Sequence, residues 1–243
     1  MRIPIAGLLL ALALAATYAG PARAAPDDEA AIDARLVFLE AVLAREESKM
    51  HTWRESWISA FAGLSLLQLG LGSATTDPAV RGTAFVGGTK SLLAAASILA
   101  VPSTAIKASS TLRPLDARTP QERRARLLAA EHLLEASAGE ARFRRSWIPL
   151  VAGAFLNLGG ATVMWVGYHR PGAGWFGLAS GVVVGQLFYQ TQPTGAITAW
   201  AAYTRALAQG KAPPSAASLA AKEPSIRWSI APSAGGLVVQ GTF

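Results

Sequence analysis

The chain has no cysteine among its 243 residues. Disulfides, thiolate metal sites and a lipid anchor carried on cysteine are therefore excluded. Histidine is almost as scarce. The three present, at 51, 132 and 169, show no metal-ligand spacing, and His132 beside Glu131 and Glu135 reads as part of a solvated helix face. Charge is thin as well: 15% of residues are charged against 51% hydrophobic, where a soluble domain carries about 25% charged residues. The shortage falls in blocks, with long uncharged stretches alternating with charge-dense ones, which is the pattern of a membrane protein.

Other absences narrow the chemistry. The apolar stretches hold no carboxylate, and no carboxylate–histidine pair sits at their edges for general acid–base work. Ser180 has no histidine at a telling spacing to make it a nucleophile. Gly159-Gly160 and Gly235-Gly236 lack the lysine and the strand–helix context of a phosphate-binding loop. No groove-reading motif accompanies the basic residues, so nucleic acid is not an expected partner. The expectation is a non-enzymatic protein with no catalytic residue, no cofactor and no metal.

What is present begins with an export signal. Arg2 precedes an apolar core over residues 3–17, and Ala22-Arg23-Ala24 offers small residues where a signal peptidase reads. Residues 1–24 are thus expected to be a signal peptide, with an uncleaved anchor helix as the alternative. In residues 29–56, Ile32, Leu36, Leu39, Leu43, Glu46, Met50, Trp53 and Trp57 are spaced alternately by four and three. This heptad seam, with one polar interruption, predicts a helix packed on another helix. Nothing breaks it before Gly63, so it is free to continue into the uncharged segment 57–75. Asp77-Pro78 makes a turn, and 82–106 is a second apolar stretch broken by Lys90 and ended by Pro102.

The same plan then recurs. Ser56-Trp57-Ile58 with Ala62-Gly63 returns as Ser146-Trp147-Ile148 with Ala152-Gly153, and Pro102-Ser103-x-Ala105 returns as Pro193-Thr194-x-Ala196. Trp57, Gly63, Trp147 and Gly153 are the signature of this internal repeat. Thr119 and Pro120 are an N-cap and first helical residue for a helix over 120–145. Apolar spans follow over 147–168 and 173–199. The last span carries Gly177, Gly181 and Gly185, a stripe suited to close helix packing in lipid. Trp200 and Tyr203 suggest an interfacial aromatic pair. An alanine-, serine- and proline-rich linker (206–225) leads to alternating apolar residues over 226–243 that predict a β-hairpin.

The fold class expected is therefore an all-α membrane protein. It is a tandem duplication of an amphipathic helix plus a two-span transmembrane hairpin (repeat 1, 25–106; repeat 2, 107–205), with four transmembrane helices and a small C-terminal β-hairpin. Residues 25–56 hold eight acidic and four basic side chains, a balance of −4, while 107–145 hold nine basic and five acidic, a balance of +4. Mutual pairing of these two helices outside the membrane follows from complementary flanks beside apolar seams. A cleaved signal and four spans place the basic segment on the exported side, against the usual cytoplasmic retention of basic loops.

The candidate polar site within the spans is Lys90, Gln68, Asn157 and Gln186. Lys90 stands about 13 Å along the helix from Arg81, where it has the reach to bind an anionic headgroup, assist ion movement or bond to Gln68 or Asn157. The expected function is a scaffold or interaction protein of the bacterial inner membrane, with both termini exported. The alternative is a subunit of a small transporter or channel. The partners implied are the lipid bilayer and an envelope protein or a second copy of the chain.

Overall fold

The computed structural model describes residues 29–101 and 103–221 and the backbone of 227–233 and 236–242. The expected signal peptide and Pro102 lie outside the described residues. The heptad seam forms α1, Glu29–Ala74, one unbroken helix of 46 residues, about 69 Å long at 1.5 Å per residue. Six of the eight seam residues, Ile32 through Met50, are buried, together with a second row formed by Arg35, Phe38 and Val42.

Asp77 accepts from the Ala79 amide at 2.8 Å and Pro78 occupies the first helical position, so the chain reverses into α2, Pro78–Ala100. This helix stops six residues short of the expected end at 106. A 3-10 turn (Ala105–Lys107) and a short α3 (Ala108–Leu112) follow. Thr119 and Glu122 form a reciprocal capping box that starts α4, Pro120–Arg144. Chain direction breaks at Arg145-Ser146, and α5, Trp147–Thr162, extends through a π turn at Val163–Gly167.

The break between α4 and α5 has a local cause. Pro149 lies in the first turn of α5, where its missing amide is tolerated, whereas a helix continuing from α4 would lose a hydrogen bond and clash there. The matching residue of the first copy is Ser59, and α1 runs through it without interruption. One residue type thus separates a continuous helix from a broken one.

The stretch expected as a single span over 173–199 is two helices: α6, Pro171–Gln190, and α7, Gly195–Ala208. Pro193 lies in the gap and cannot continue α6. Helix α7 ends in a Schellman closure: Gly210 adopts a left-handed φ of 62°, and the Lys211 amide reaches the Ala206 carbonyl at 2.9 Å. The region expected to be linker contains α8, Ala216–Ala220, which packs Ala216 and Leu219 against the core. The backbone of Arg227–Ser233 pairs antiparallel with Gly236–Thr242, Ser233 opposite Gly236.

Two regions result. The head is a cluster of buried residues from α1, α3, α4 and α7 that includes Leu39, Leu134, Ala199 and Tyr203. Beyond it, α1 and α2 form one hairpin and α5 and α6 another. Both turns lie at the end away from the head, where Tyr168 packs on Gly82. Leu66 and Phe176 are each 74% exposed in this part, an apolar surface that water does not favour. Three helices here, Glu29–Ala74, Pro78–Ala100 and Trp147–Gly167, are long and apolar enough to cross a membrane. In α6, glycines and two glutamines dilute the apolar content.

The continuity of α1 is open to test. Ser59→Pro should cost about 3 kcal/mol or more and lower the melting temperature in detergent, with a loss of helical circular dichroism. An unchanged melt would show that head and hairpin do not depend on an unbroken helix.

Candidate functional site

The head is held together by charge placed where the sequence puts opposite signs. Arg126 on α4 donates to Glu40 on α1 at 2.7 Å and to the Leu115 carbonyl at 2.7 Å. Arg123 pairs with Glu29 and, at 3.7 Å, with Asp33. Deeper in, Arg35 donates to Glu131 and, at 2.8 Å, to the Tyr203 hydroxyl, which itself donates to Glu131. The three side chains join α1, α4 and α7. Burial works against the Arg35 charge, but the hydrogen bonds to Glu131 and Tyr203 outweigh it and hold the guanidinium protonated well beyond its ordinary range. Burial, and then the bond to Glu131, pushes the Tyr203 phenol above its ordinary value. Tyr203 is fully buried and stacks between Phe38 and Trp200, each at 5.8 Å, so it is not the interfacial residue expected.

Carboxylates also cap helix starts in the head. Glu46, the polar interruption of the seam, accepts from the Ala196 amide at the start of α7 at 3.1 Å. Glu47 accepts from Ser109 in α3 at 2.9 Å. Glu140 of α4 accepts from the Thr104 amide at 3.0 Å, and from its hydroxyl. Each places negative charge where a helix presents unpaired amides.

Within the apolar part, the four candidate polar residues part company. Lys90 points across to α6, its Nζ 3.4 Å from the Gly177 carbonyl, and a side chain at Gly160 would collide with its stem. Asn157 donates to the Gly153 carbonyl at 3.0 Å and fills the space left by Gly181. Lys90 and Asn157 therefore share the seam where α2, α5 and α6 meet. Gln68 faces Gly87 instead, with its buried Oε1 unbonded among the described residues. Gln186 is exposed.

The expected glycine stripe also divides. Gly181 admits Asn157, but Gly177 and Gly185 face open space; the close approaches lie elsewhere, at Gly82, Gly88 and Gly174. Of the repeat signature, Trp57 and its neighbour Trp53 both donate to Thr191 Oγ1, at 3.0 and 3.2 Å, and pack on Phe188. Trp147 is 69% exposed, and neither Gly63 nor Gly153 has a close neighbour.

Sequence reading missed the Arg35–Glu131–Tyr203 cluster. Its signal was Arg35 itself, the one charged member of the row Arg35, Phe38, Val42 that runs beside the seam at helical spacing. Open grooves are also present among the described residues. One, of about 580 Å³, lies at the turns against Gln68, Asp77 and Arg170. Another, of about 480 Å³, lies where the head joins the spans. Neither is lined by Lys90 or Asn157. Among the described residues no group of three or more histidines and carboxylates is placed to hold a metal ion. No protein-family model, curated protein or solved structure matches the chain.

The raised Tyr203 pKa fixes a sign. A folded-state value above the unfolded one stabilises the protein below the unfolded value, about 10, and that contribution is lost as pH rises beyond it. Melting curves of the wild type should fall steeply above about pH 10. Tyr203→Phe should melt lower at pH 8, by the equivalent of about 1–3 kcal/mol, with a shallower alkaline limb. Parallel pH profiles would remove Tyr203 as the titrating group.

Proposed function

We propose that the chain is a non-enzymatic scaffold of the bacterial inner membrane, made with an export signal and bearing its helical head and C-terminal hairpin on the exported side. Its two halves are copies of one unit that have specialised to fit each other. Support for the duplication comes from reciprocal capping. After the first hairpin, Thr104 is bound by Glu140 of the second half, and after the second hairpin, Ala196 is bound by Glu46 of the first. Both lie within or beside the repeated Pro-Ser/Thr-x-Ala motif.

A fourth crossing by α6 is supported by connectivity. Helices α5 and α6 pair as a hairpin whose turn is far from the head, and α7 must re-enter the head to place Tyr203 beside Arg35. If α5 crosses the bilayer, α6 has to bring the chain back. The basic segment 107–145 can then remain exported because its cations are met by the acidic face of α1.

The observation that carries a scaffold over a transporter is the use made of polar groups in the apolar layer. Lys90 and Asn157 are turned to backbone carbonyls in a packed seam, where a conduction path needs polar groups converging on a cavity open to water. The proposed partner is an envelope protein engaged by the head.

The test is purification of the full chain from its own membranes in mild detergent, with co-purifying proteins identified and quantified. A partner in constant ratio, lost on reversing the exposed head cations Arg118 and Arg124 to glutamate, is the expected result. Solute or ion flux in proteoliposomes that Lys90→Met abolishes would overturn the scaffold reading in favour of a transporter subunit.

A further inference from the structure

The groove of about 480 Å³ at the junction of head and spans lies where polar side chains give way to apolar ones. One wall is the stretch of α1 over which charge gives way to apolar residues, from His51 and Arg54 to Ile58. The other is Leu99 and Ala100 at the end of α2, with Ser103, Ile106 and Lys107 beyond it. If the spans cross a bilayer, this is the depth of the lipid headgroups.

The polar equipment of the groove is cationic. Arg54 donates to the carbonyls of Leu99 and Val101 at 3.0 and 3.3 Å, which fixes its guanidinium at the groove wall and satisfies the end of α2. Lys107 is exposed, and its ammonium meets no carboxylate among the described residues. The single acid in the lining, Glu55, stands 3.9 Å from His51. Two cations thus outnumber one carboxylate in the lining.

A second observation points to an occupant. Ser103 lines the groove and is 6% exposed, yet its hydroxyl oxygen has no hydrogen-bond partner among the described residues. A buried hydroxyl left unpaired is costly unless something else supplies the partner. A phosphate oxygen held by Arg54 and Lys107 accepts from such a hydroxyl, while Ile58 and Leu99 offer apolar surface to an acyl chain below it.

We propose that this groove binds the phosphodiester headgroup of an anionic phospholipid, with Lys107 and Arg54 as its cationic contacts and Ser103 as a hydroxyl donor. The site belongs to the first half alone. The second copy has Thr198 where the first has Lys107, and Gln190 in place of Leu99, at the repeat offset of 91. The inference rests on the membrane-spanning reading but not on the scaffold role.

The experiment uses the full chain in detergent. Titrations with short-chain phosphatidylglycerol, phosphatidylcholine and inorganic phosphate are followed by melting temperature and by native mass spectrometry. Phosphatidylglycerol should bind at least about tenfold more tightly than phosphatidylcholine, and Lys107→Glu should reduce that preference by about tenfold. Lys211→Glu, an exposed charge reversal elsewhere in the head, should leave it intact. Equal binding of the two lipids, or a preference that survives Lys107→Glu, would overturn the site. Inorganic phosphate binding as tightly as the lipid would overturn a lipid as its source. Flotation with phosphatidylcholine vesicles separates this failure from that of the membrane reading: a chain that floats but does not discriminate has lost the site and kept the membrane.

Discussion

A helix that passes from water into lipid satisfies its backbone through its own i→i−4 ladder, and α1 carries that ladder unbroken across residues 29–74. Its first half presents a seam to α4 and α7, and its second half presents small and apolar residues to α2. Because no break separates the halves, the head cannot swing against the first hairpin without bending a hydrogen-bonded helix. The second half of the chain is built differently. Pro149 divides α4 from α5, and that hairpin is tied back to α1 by other means: two tryptophan indoles on Thr191 and the packing of Phe188 among Trp53, Trp57 and Phe61.

The head answers a second constraint. Helices that leave and re-enter it expose amide groups at their starts, and the carboxylates of α1 and α4 accept from them. The same two helices supply the buried Arg35 and the half-buried Glu131, completed by Tyr203 from α7. Removing one partner leaves the charge of the other uncompensated beside the core. The cluster therefore favours the single arrangement in which α7 lies across α1 and α4.

Much of this was legible in the residues. The 4–3 spacing of Ile32 through Met50 marked a buried face, the opposite charge of 25–56 and 107–145 anticipated the ion pairs between α1 and α4, and Thr119-Pro120 marked a helix start. What escaped was set by tertiary contact. Residues 195–199 read as apolar span because alanine-rich sequence suits lipid and a small-residue helix interface equally well, and only Phe38 and Arg35 opposite Tyr203 decide between them. Glycines at 177, 181 and 185 have equal spacing, yet only Gly181 meets a partner, because a glycine matters where a neighbour such as Asn157 fills its space. Trp57 and Trp147 occupy matching places in the repeat, but Thr191 and Phe188 give only the first a site to pack.

The central claim is that the head and the two turns lie on opposite sides of a membrane. The absence of native cysteine allows it to be tested directly with single cysteines at Ser110, exposed in the head, and Asp77, exposed at the first turn. A membrane-impermeant maleimide applied to intact spheroplasts should label the Ser110→Cys protein and leave Asp77→Cys unlabelled until the membrane is permeabilised. Equal labelling of both positions in sealed spheroplasts would contradict the account.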